Sequence, residues 1–132
     1  MIVIDSSALI AIFRQEHDAE DFARRIATDD DPVMSAANLL ETSIVLRGLK
    51  EIAPARAERW LDDFIETAGI RIEAVTSDQA NAARSAHLQF EGTGHSAALN
   101  YGDCFAYALA KELQAPLLCK GNDFRLTDIA IA

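Results

Sequence analysis

Apolar residues fall into short β-branched runs and longer amphipathic stretches along the chain, which predict strands and helices respectively. The first run, IVI, predicts a strand that is buried on both faces, and IRIEAV alternates strictly as a strand does. Strands are expected at IVI (2–4), PVM (32–34), IRIEAV (70–75), PLLC (116–119) and, as a short edge strand, DIAIA (128–132). Because helices are expected between most successive strands, the pattern predicts an α/β fold, a three-layer α/β/α sandwich with a mainly parallel central sheet.

Helical spacing and capping residues predict the helices and the points at which they begin. Ser6 and Ser35 are expected to cap two of them, and Thr76 and Gln79 have the spacing of a capping box. The helices are expected over residues 6–13, 17–27, 36–50, 54–68, 76–90 and 100–113. Residues 91–100 predict a long irregular loop.

The helix predicted for NYGDCFAYALAKEL, residues 100–113, is apolar on nearly every face and is therefore expected to be buried. Asp103 nevertheless lies at its start. A purely structural explanation is available, in which Asn100 caps the helix and Asp103 complements its dipole. Whether Asp103 has a further role depends on which other acids lie near it.

Composition describes one globular domain over residues 1–132, with 50% hydrophobic residues and a net charge of -9. The negative charge argues against a broad electrostatic surface for nucleic acid, although a bound divalent cation would reverse the field locally. The two cysteines, Cys104 and Cys119, are expected to be buried free thiols of a reducing compartment. The apolar start of the chain contains Asp5 and lacks a basic leader, so we expect a cytoplasmic protein with no membrane span.

Two further acids follow predicted strands directly. Asp5 comes after the first strand, and Asp123 comes just after PLLC, so both are expected at the carboxyl edge of a parallel sheet, where ligands bind in such folds. Each also has a structural explanation: Asp5 as another helix cap and Asp123 as a turn residue.

Glu41 lies on the third predicted helix, and its position three and four residues from apolar side chains suggests that it faces the core. Its neighbours in that row are Ala37, Asn38, Ile44 and Val45. An unpaired buried carboxylate is costly unless it is hydrogen-bonded, neutralised or bound to a cation. The alternative is a partly exposed glutamate beside Arg47.

These four acids can converge at one edge of the sheet, where their mutual repulsion would be large in a poorly solvated site. A divalent cation would relieve that repulsion. Carboxylate oxygens without a nearby His or Cys ligand favour a hard ion, Mg2+ or Mn2+, over zinc.

Four separated motifs, VIDSSALIAI, LLETSIVL, NYGDCFAYALAKEL and PLLCKGNDF, resemble the PIN-domain ribonucleases, and most closely the VapC toxins of bacterial type II toxin–antitoxin modules. The resemblance spans residues 1 to about 130. It implies an acidic site made by Asp5, Glu41, Asp103 and Asp123, with Asp5 and Asp103 as the direct metal ligands. It also implies that the hydroxyl of Ser6 or Ser7 supports the first aspartate. The stretch from Cys119 to Asn122 departs from the family, in which a Thr and another acid or Asn often precede the final Asp-Phe.

The resemblance implies a Mg2+-dependent endoribonuclease, with Mn2+ as a substitute ion, that hydrolyses RNA and is neutralised by a VapB-type antitoxin. It also implies a homodimer. In this reading Glu41 and Asp123 hold waters on the metal or orient the nucleophile, and either could act as general base. The alternative is a degenerate PIN domain that only binds RNA or protein. Receiver, Rossmann and haloacid-dehalogenase readings are disfavoured, because the residues that follow Asp5 lack the extra acids or glycines that those sites use.

Contact with RNA would come from basic residues near the acids, although a solvated surface position is the simpler reading for any one of them. The candidates are Arg14, Arg84, Lys111, Lys120 and Arg125. His95 could face the substrate from the glycine-rich loop, whereas the metal mechanism needs neither His87 nor His95. Tyr107 is expected in the core, and Tyr101 either in the core or stacked on a base.

Overall fold

The computed structural model describes residues 1–90 and 99–132. Four short strands form one sheet: β1 (Ile2–Ile4), β2 (Pro32–Ser35), β3 (Arg71–Glu73) and β4 (Leu117–Leu118). The helices are α1 (Ser6–Phe13), α2 (Ala19–Thr28), α3 (Ala36–Arg47), α4 (Pro54–Ala68), α5 (Ser77–Phe90) and α6 (Tyr101–Leu113). Among these helices, none has the combination of length and apolar character needed to cross a bilayer.

The sheet has the strand order β3-β2-β1-β4, and every pairing is parallel. Val3 aligns with Val33 on one side and with Leu117 on the other, so β1 is a central strand. Because parallel strands end at the same edge, the residues that follow β1 and β4 are brought together there.

Successive residues of the strands face opposite sides of the sheet and enter two separate cores. Val3, Val33 and Leu117 pack with α5, α6 and the C-terminal segment. Ile4 and Leu118 pack with the residues of α1 to α4. Helices therefore cover both faces, and the predicted three-layer α/β/α sandwich with a parallel sheet is confirmed.

Several predicted boundaries are wrong by a few residues, because tertiary contacts decide where an element ends. The third helix ends at Arg47 and not at residue 50, and the strand expected over residues 70–75 is limited to Arg71–Glu73. The expected last strand is reduced to an isolated parallel bridge between Leu117 and Ile131. The loop predicted over residues 91–100 lies mostly outside the described residues, as does His95.

The predicted capping box at Thr76 and Gln79 is half formed. The Gln79 backbone N–H donates to Thr76 Oγ1 at 3.1 Å, as expected of the box. The Gln79 side chain, which is buried, instead donates to Glu112 Oε2 at 2.7 Å. The glutamine therefore joins α5 to α6 and does not return to its own helix start.

Candidate functional site

Asp5 connects the central strand to the first helix. Its backbone N–H donates to the Leu118 carbonyl at 2.9 Å, which fixes it beside the end of β4. Its Oδ2 accepts from the backbone N–H of Ser7 at 3.0 Å and from Ser7 Oγ at 2.5 Å. The cap of α1 is therefore Asp5, and the prediction of Ser6 was wrong, because Asp5 has the extended backbone of an N-cap while Ser6 is already helical.

The second carboxylate oxygen of Asp5 has no such support. Asp5 is only 3% exposed, and its Oδ1 has no hydrogen-bond partner within residues 1–90 and 99–132. Burial raises the pKa of this carboxyl, and the charge of Glu41 raises it further, against the opposing hydrogen bonds from Ser7. A buried, unpaired carboxylate oxygen is costly, and a cation is one of the few groups that would satisfy it.

Asp103 begins the buried helix α6 and takes part in a capping box. Its Oδ2 accepts from the Asn100 backbone N–H at 3.1 Å, while its own N–H donates to Asn100 Oδ1 at 2.9 Å. The predicted capping by Asn100 is confirmed. Burial raises the pKa of Asp103 to about 7, and the negative charges of Asp5, Asp123 and Glu41 contribute to the rise.

Glu41 reaches the same place from α3. Its Oε1 accepts from Ser6 Oγ at 2.6 Å and from Asn38 Nδ2 at 3.2 Å. The predicted reason for its position was wrong, because Ile44 and Val45, expected in the core, are 55% and 38% exposed. The buried row of α3 is instead Asn38, Thr42 and Leu46, and the half-buried Glu41 borders it.

Asp123 lies in the turn after β4 and is exposed. Its charge nevertheless acts on Asp103 and on the Cys119 thiol, so it lies at the rim of the same edge. Burial raises the pKa of Cys119 to about 12, with further increases from the charges of Asp5, Asp103 and Asp123. Both cysteines are buried and neither belongs to a disulfide, as the sequence predicted. The structure thus brings the four acids to one edge of the sheet.

The candidate basic residues differ in their distance from these acids and in their partners. Lys120 Nζ pairs with Glu16 at 3.0 Å and Asp18 at 3.2 Å, so its charge is already compensated. Arg125, in contrast, is exposed and close enough for its positive charge to lower the pKa of Cys119. Arg125 is therefore the candidate beside the acids.

The other candidates lie elsewhere or have partners of their own. Lys111 pairs with Asp128, and Arg84 donates to Asn81 Oδ1 at 3.3 Å. His87 and Tyr101 line an apolar groove of about 530 Å³ between α5 and α6, and none of the four acids is among its lining residues. Tyr101 is exposed, whereas Tyr107 is buried, as predicted, and donates to Asp128 Oδ1 at 2.5 Å. Arg14 is exposed just after α1.

Two residues at the acidic edge were missed by sequence reasoning. Asn38 is completely buried and donates to Glu41. The Glu41 carboxylate lies against Gly102 and occupies the space that a Cβ atom at residue 102 would fill. One clue was available, since a glycine in the first turn of an otherwise apolar, helix-favouring segment is unfavourable and indicates a close approach.

The donor set suits a hard cation that keeps several waters. In the parts of the chain that the structure describes, no three His, Cys, Asp or Glu side chains converge to enclose an ion by themselves. Mg2+ is commonly held by one or two carboxylates, with water and substrate phosphate completing its coordination. The unpartnered Oδ1 of Asp5 and the repulsion that raises the pKa of Asp103 fit such an ion.

Comparison with known proteins assigns the chain to a family. A family model described as PIN domain matches residues 2–130. The chain is also 47% identical over 129 residues to the "Ribonuclease VapC" of Mycolicibacterium smegmatis, with 98% of each chain covered. The chain belongs to the VapC group of PIN domains. The family resemblance seen in the four motifs is therefore confirmed.

Solved structures agree with this VapC assignment at the level of the fold. VapC20 of Mycobacterium tuberculosis, described as a Sarcin-Ricin loop cleaving toxin, has a TM-score of 0.79 at 17% identity, covering 100% of this chain and 98% of that one. The complex of VapBC2 from Rickettsia felis with a promoter DNA fragment contains a chain with a TM-score of 0.76 at 16% identity, with 100% and 98% covered.

Proposed function

We propose that this VapC-family protein is an endoribonuclease toxin whose acidic edge uses Mg2+, or Mn2+ in its place, to hydrolyse RNA phosphodiester bonds. Membership of the VapC group supports the ribonuclease activity. The observation that carries the metal assignment is the buried, unpartnered Oδ1 of Asp5. Asp5 and Asp103 would hold the ion, and the proposal treats residues 1–132 as one PIN domain.

When bound, the ion would supply positive charge that stabilises the negative charge on the phosphoryl oxygens during hydrolysis. The protein's own residues would hold and orient the reacting groups. Ser7 holds the Asp5 carboxylate through two hydrogen bonds, and Asn100 holds that of Asp103. Glu41, fixed by Ser6, would orient the attacking water and accept its proton, with Asp123 at the rim as the other candidate base.

Arg125 would contact the RNA backbone. It is exposed beside the acids, whereas Lys120 is compensated by two carboxylates. A net charge of -9 gives little general attraction for a polyanion, so a few cations close to the bound metal must carry phosphate recognition.

A VapB-type antitoxin would neutralise the toxin in the cytoplasm, and the toxin would form a homodimer. The antitoxin follows from membership of the VapC group and from the similarity of the fold to that in a VapBC complex. Mass measurement in solution, with and without a VapB-type antitoxin, would test both assemblies.

The test of the catalytic assignment compares the metal-free protein, Mg2+ and Mn2+ on RNA in a cleavage assay, with Asp5→Asn, Asp103→Asn and Asp128→Asn variants. Asparagine can still accept the capping hydrogen bonds, so the folds should survive. We expect cleavage to need the ion and to fall by at least about 10- to 100-fold in the first two variants, because losing only an outer partner of a metal ligand already costs that much. Asp128 pairs with Lys111 outside the acidic edge, so its variant should cleave normally.

Two results would oppose the proposal. Normal cleavage by both Asp5→Asn and Asp103→Asn would refute the assignment of these acids. RNA binding in a gel-shift assay without cleavage in any divalent ion would instead indicate a degenerate PIN domain.

A further inference from the structure

Asn38 lies one turn before Glu41 on α3 and is 0% exposed. Its Nδ2 donates to Glu41 Oε1 at 3.2 Å and to the Gly102 carbonyl at 2.9 Å. The side-chain orientation follows from chemistry, because both facing atoms are acceptors and only the NH2 end of the amide can donate to them. One buried side chain therefore connects a site carboxylate on α3 to the first turn of α6.

Gly102 contributes through the side chain it lacks. A Cβ atom at this position would overlap the Glu41 carboxylate, lying 2.6 Å from Oε1 and closer still to Oε2. Glu41 can therefore lie directly on the backbone of α6 next to Asp103 only because residue 102 is glycine. Any larger residue would push the carboxylate away from the other acids.

The arrangement leaves the two oxygens of Glu41 unequal. Ser6 and Asn38 both donate to Oε1, and in residues 1–90 and 99–132 no hydrogen bond to Oε2 is formed. The Asn38 amide that donates to Oε1 is itself only partly satisfied. Its Oδ1 is buried and has no hydrogen-bond partner in the same part of the chain. An apolar side chain would avoid that unfavourable burial, so the amide is better explained by what it holds than by stability.

We propose that Asn38 and Gly102 are positioning residues that hold the Glu41 carboxylate beside Asp5 and Asp103, with two donors on Oε1 and the backbone of Gly102 against Oε2. Neither residue touches the reacting atoms. The inference rests on the proposed function, because it requires Glu41 to act at the acidic edge.

The test uses Asn38→Leu, which keeps the branched arrangement of heavy atoms and removes both N–H donors, and Gly102→Ala, which fills the space under Glu41. The matched control is Gln79→Leu, because Gln79 is also a buried amide that donates to a carboxylate and joins two helices away from the acids. Thermal melting identifies the folded variants. Mn2+ affinity is measured by calorimetry and RNA cleavage by initial rates.

Residues that orient a metal-site carboxylate typically change affinity or activity by 10- to 100-fold. We therefore expect Asn38→Leu and Gly102→Ala to lower kcat by about 10- to 100-fold with little change in KM, and to weaken Mn2+ binding, while Gln79→Leu changes neither. Glu41→Gln should have the same effects, and adding Asn38→Leu to it should cause no further loss, because the two act through one carboxylate.

Additive losses in the double variant would overturn the inference, as would a folded Asn38→Leu and a folded Gly102→Ala with normal Mn2+ affinity and kcat. Normal Mn2+ binding and cleavage in Glu41→Gln would overturn it as well. That last outcome is separate from failure of the proposed function, which is judged by cleavage in Asp5→Asn and Asp103→Asn.

Discussion

Replacing Asp103 by Asn should stabilise the metal-free protein at neutral and alkaline pH, although the residue caps a helix. The Asn100 N–H can donate to the amide oxygen as it does to the carboxylate. The substitution removes the negative charge of Asp103, a residue that is 8% exposed and lies among Asp5, Asp123 and Glu41. The perturbation therefore separates the capping role of residue 103 from its unfavourable charge.

The size of this stabilisation follows from the pKa of Asp103, which rises from 3.8 to about 7 on folding. Burial is the largest cause of the rise, and the neighbouring negative charges add to it. Between these pH values the folded protein holds a proton that the unfolded chain has lost, so stability falls as pH increases through this window. At about 1.4 kcal/mol per pH unit, the deficit is complete above pH 7 and amounts to about 4 kcal/mol. Asparagine does not titrate, so Asp103→Asn has no such loss of stability. About 3 kcal/mol of its stability gain over the wild type should develop between pH 5 and pH 8.

Urea unfolding in the presence of a chelator, at pH 5 and pH 8, measures this difference. The control is Asp128→Asn, because hydrogen bonds from Lys111 and Tyr107 lower the pKa of Asp128. That variant should be slightly less stable than the wild type at pH 8, the opposite direction, since its charge is favourable above its ordinary pKa. Adding Mg2+ should stabilise the wild type more than Asp103→Asn. A stability difference between Asp103→Asn and the wild type that is the same at both pH values would refute the reasoning.

Two further predictions concern the core and RNA contact. Leu109→Ala, at a fully buried position packed between the sheet and α5, should lower the free energy of unfolding by about 2–5 kcal/mol in urea; a loss below about 1 kcal/mol would contradict this packing. Arg125→Ala should raise KM for RNA several-fold and reduce the salt slope of binding by roughly 0.7, the value for one phosphate contact on a single strand. Lys120→Ala, which removes a cation already paired with Glu16 and Asp18, should change neither quantity, and equal effects of the two variants would contradict the assignment.

The fold could be predicted from sequence because short β-branched runs and amphipathic stretches alternate, and that alternation has few compatible architectures. The carboxyl edge of the sheet could be predicted for the same reason, since Asp5 and Asp123 follow strands directly. The end of α3 and the limits of β3 were missed because they depend on contacts with other elements, which local patterns do not contain.

The details of the acidic edge were harder to predict. Asn38 and Gly102 meet across 64 positions of sequence, and only the packing of α3 on α6 brings them together. The orientation of α3 was also misjudged. Its neighbours at three and four residues from Glu41 suggested a core-facing row, but of these only Asn38 is buried, in a row with Thr42 and Leu46, while Ile44 and Val45 face outward. The family resemblance could not distinguish Ser6 from Ser7, whereas the structure assigns Ser7 to Asp5 and Ser6 to Glu41.

The position of β1 between β2 and β4 has a consequence for synthesis of the toxin on the ribosome. The first strand emerges early, yet the N–H of its Val3 donates to the Pro116 carbonyl, and the N–H of Asp5, directly after the strand, donates to the carbonyl of Leu118. A nascent chain therefore lacks one neighbour of its central strand until these late residues have left the exit tunnel. Translation products that end before residue 116 would therefore hold Asp5 and Glu41 without the segment that completes the sheet.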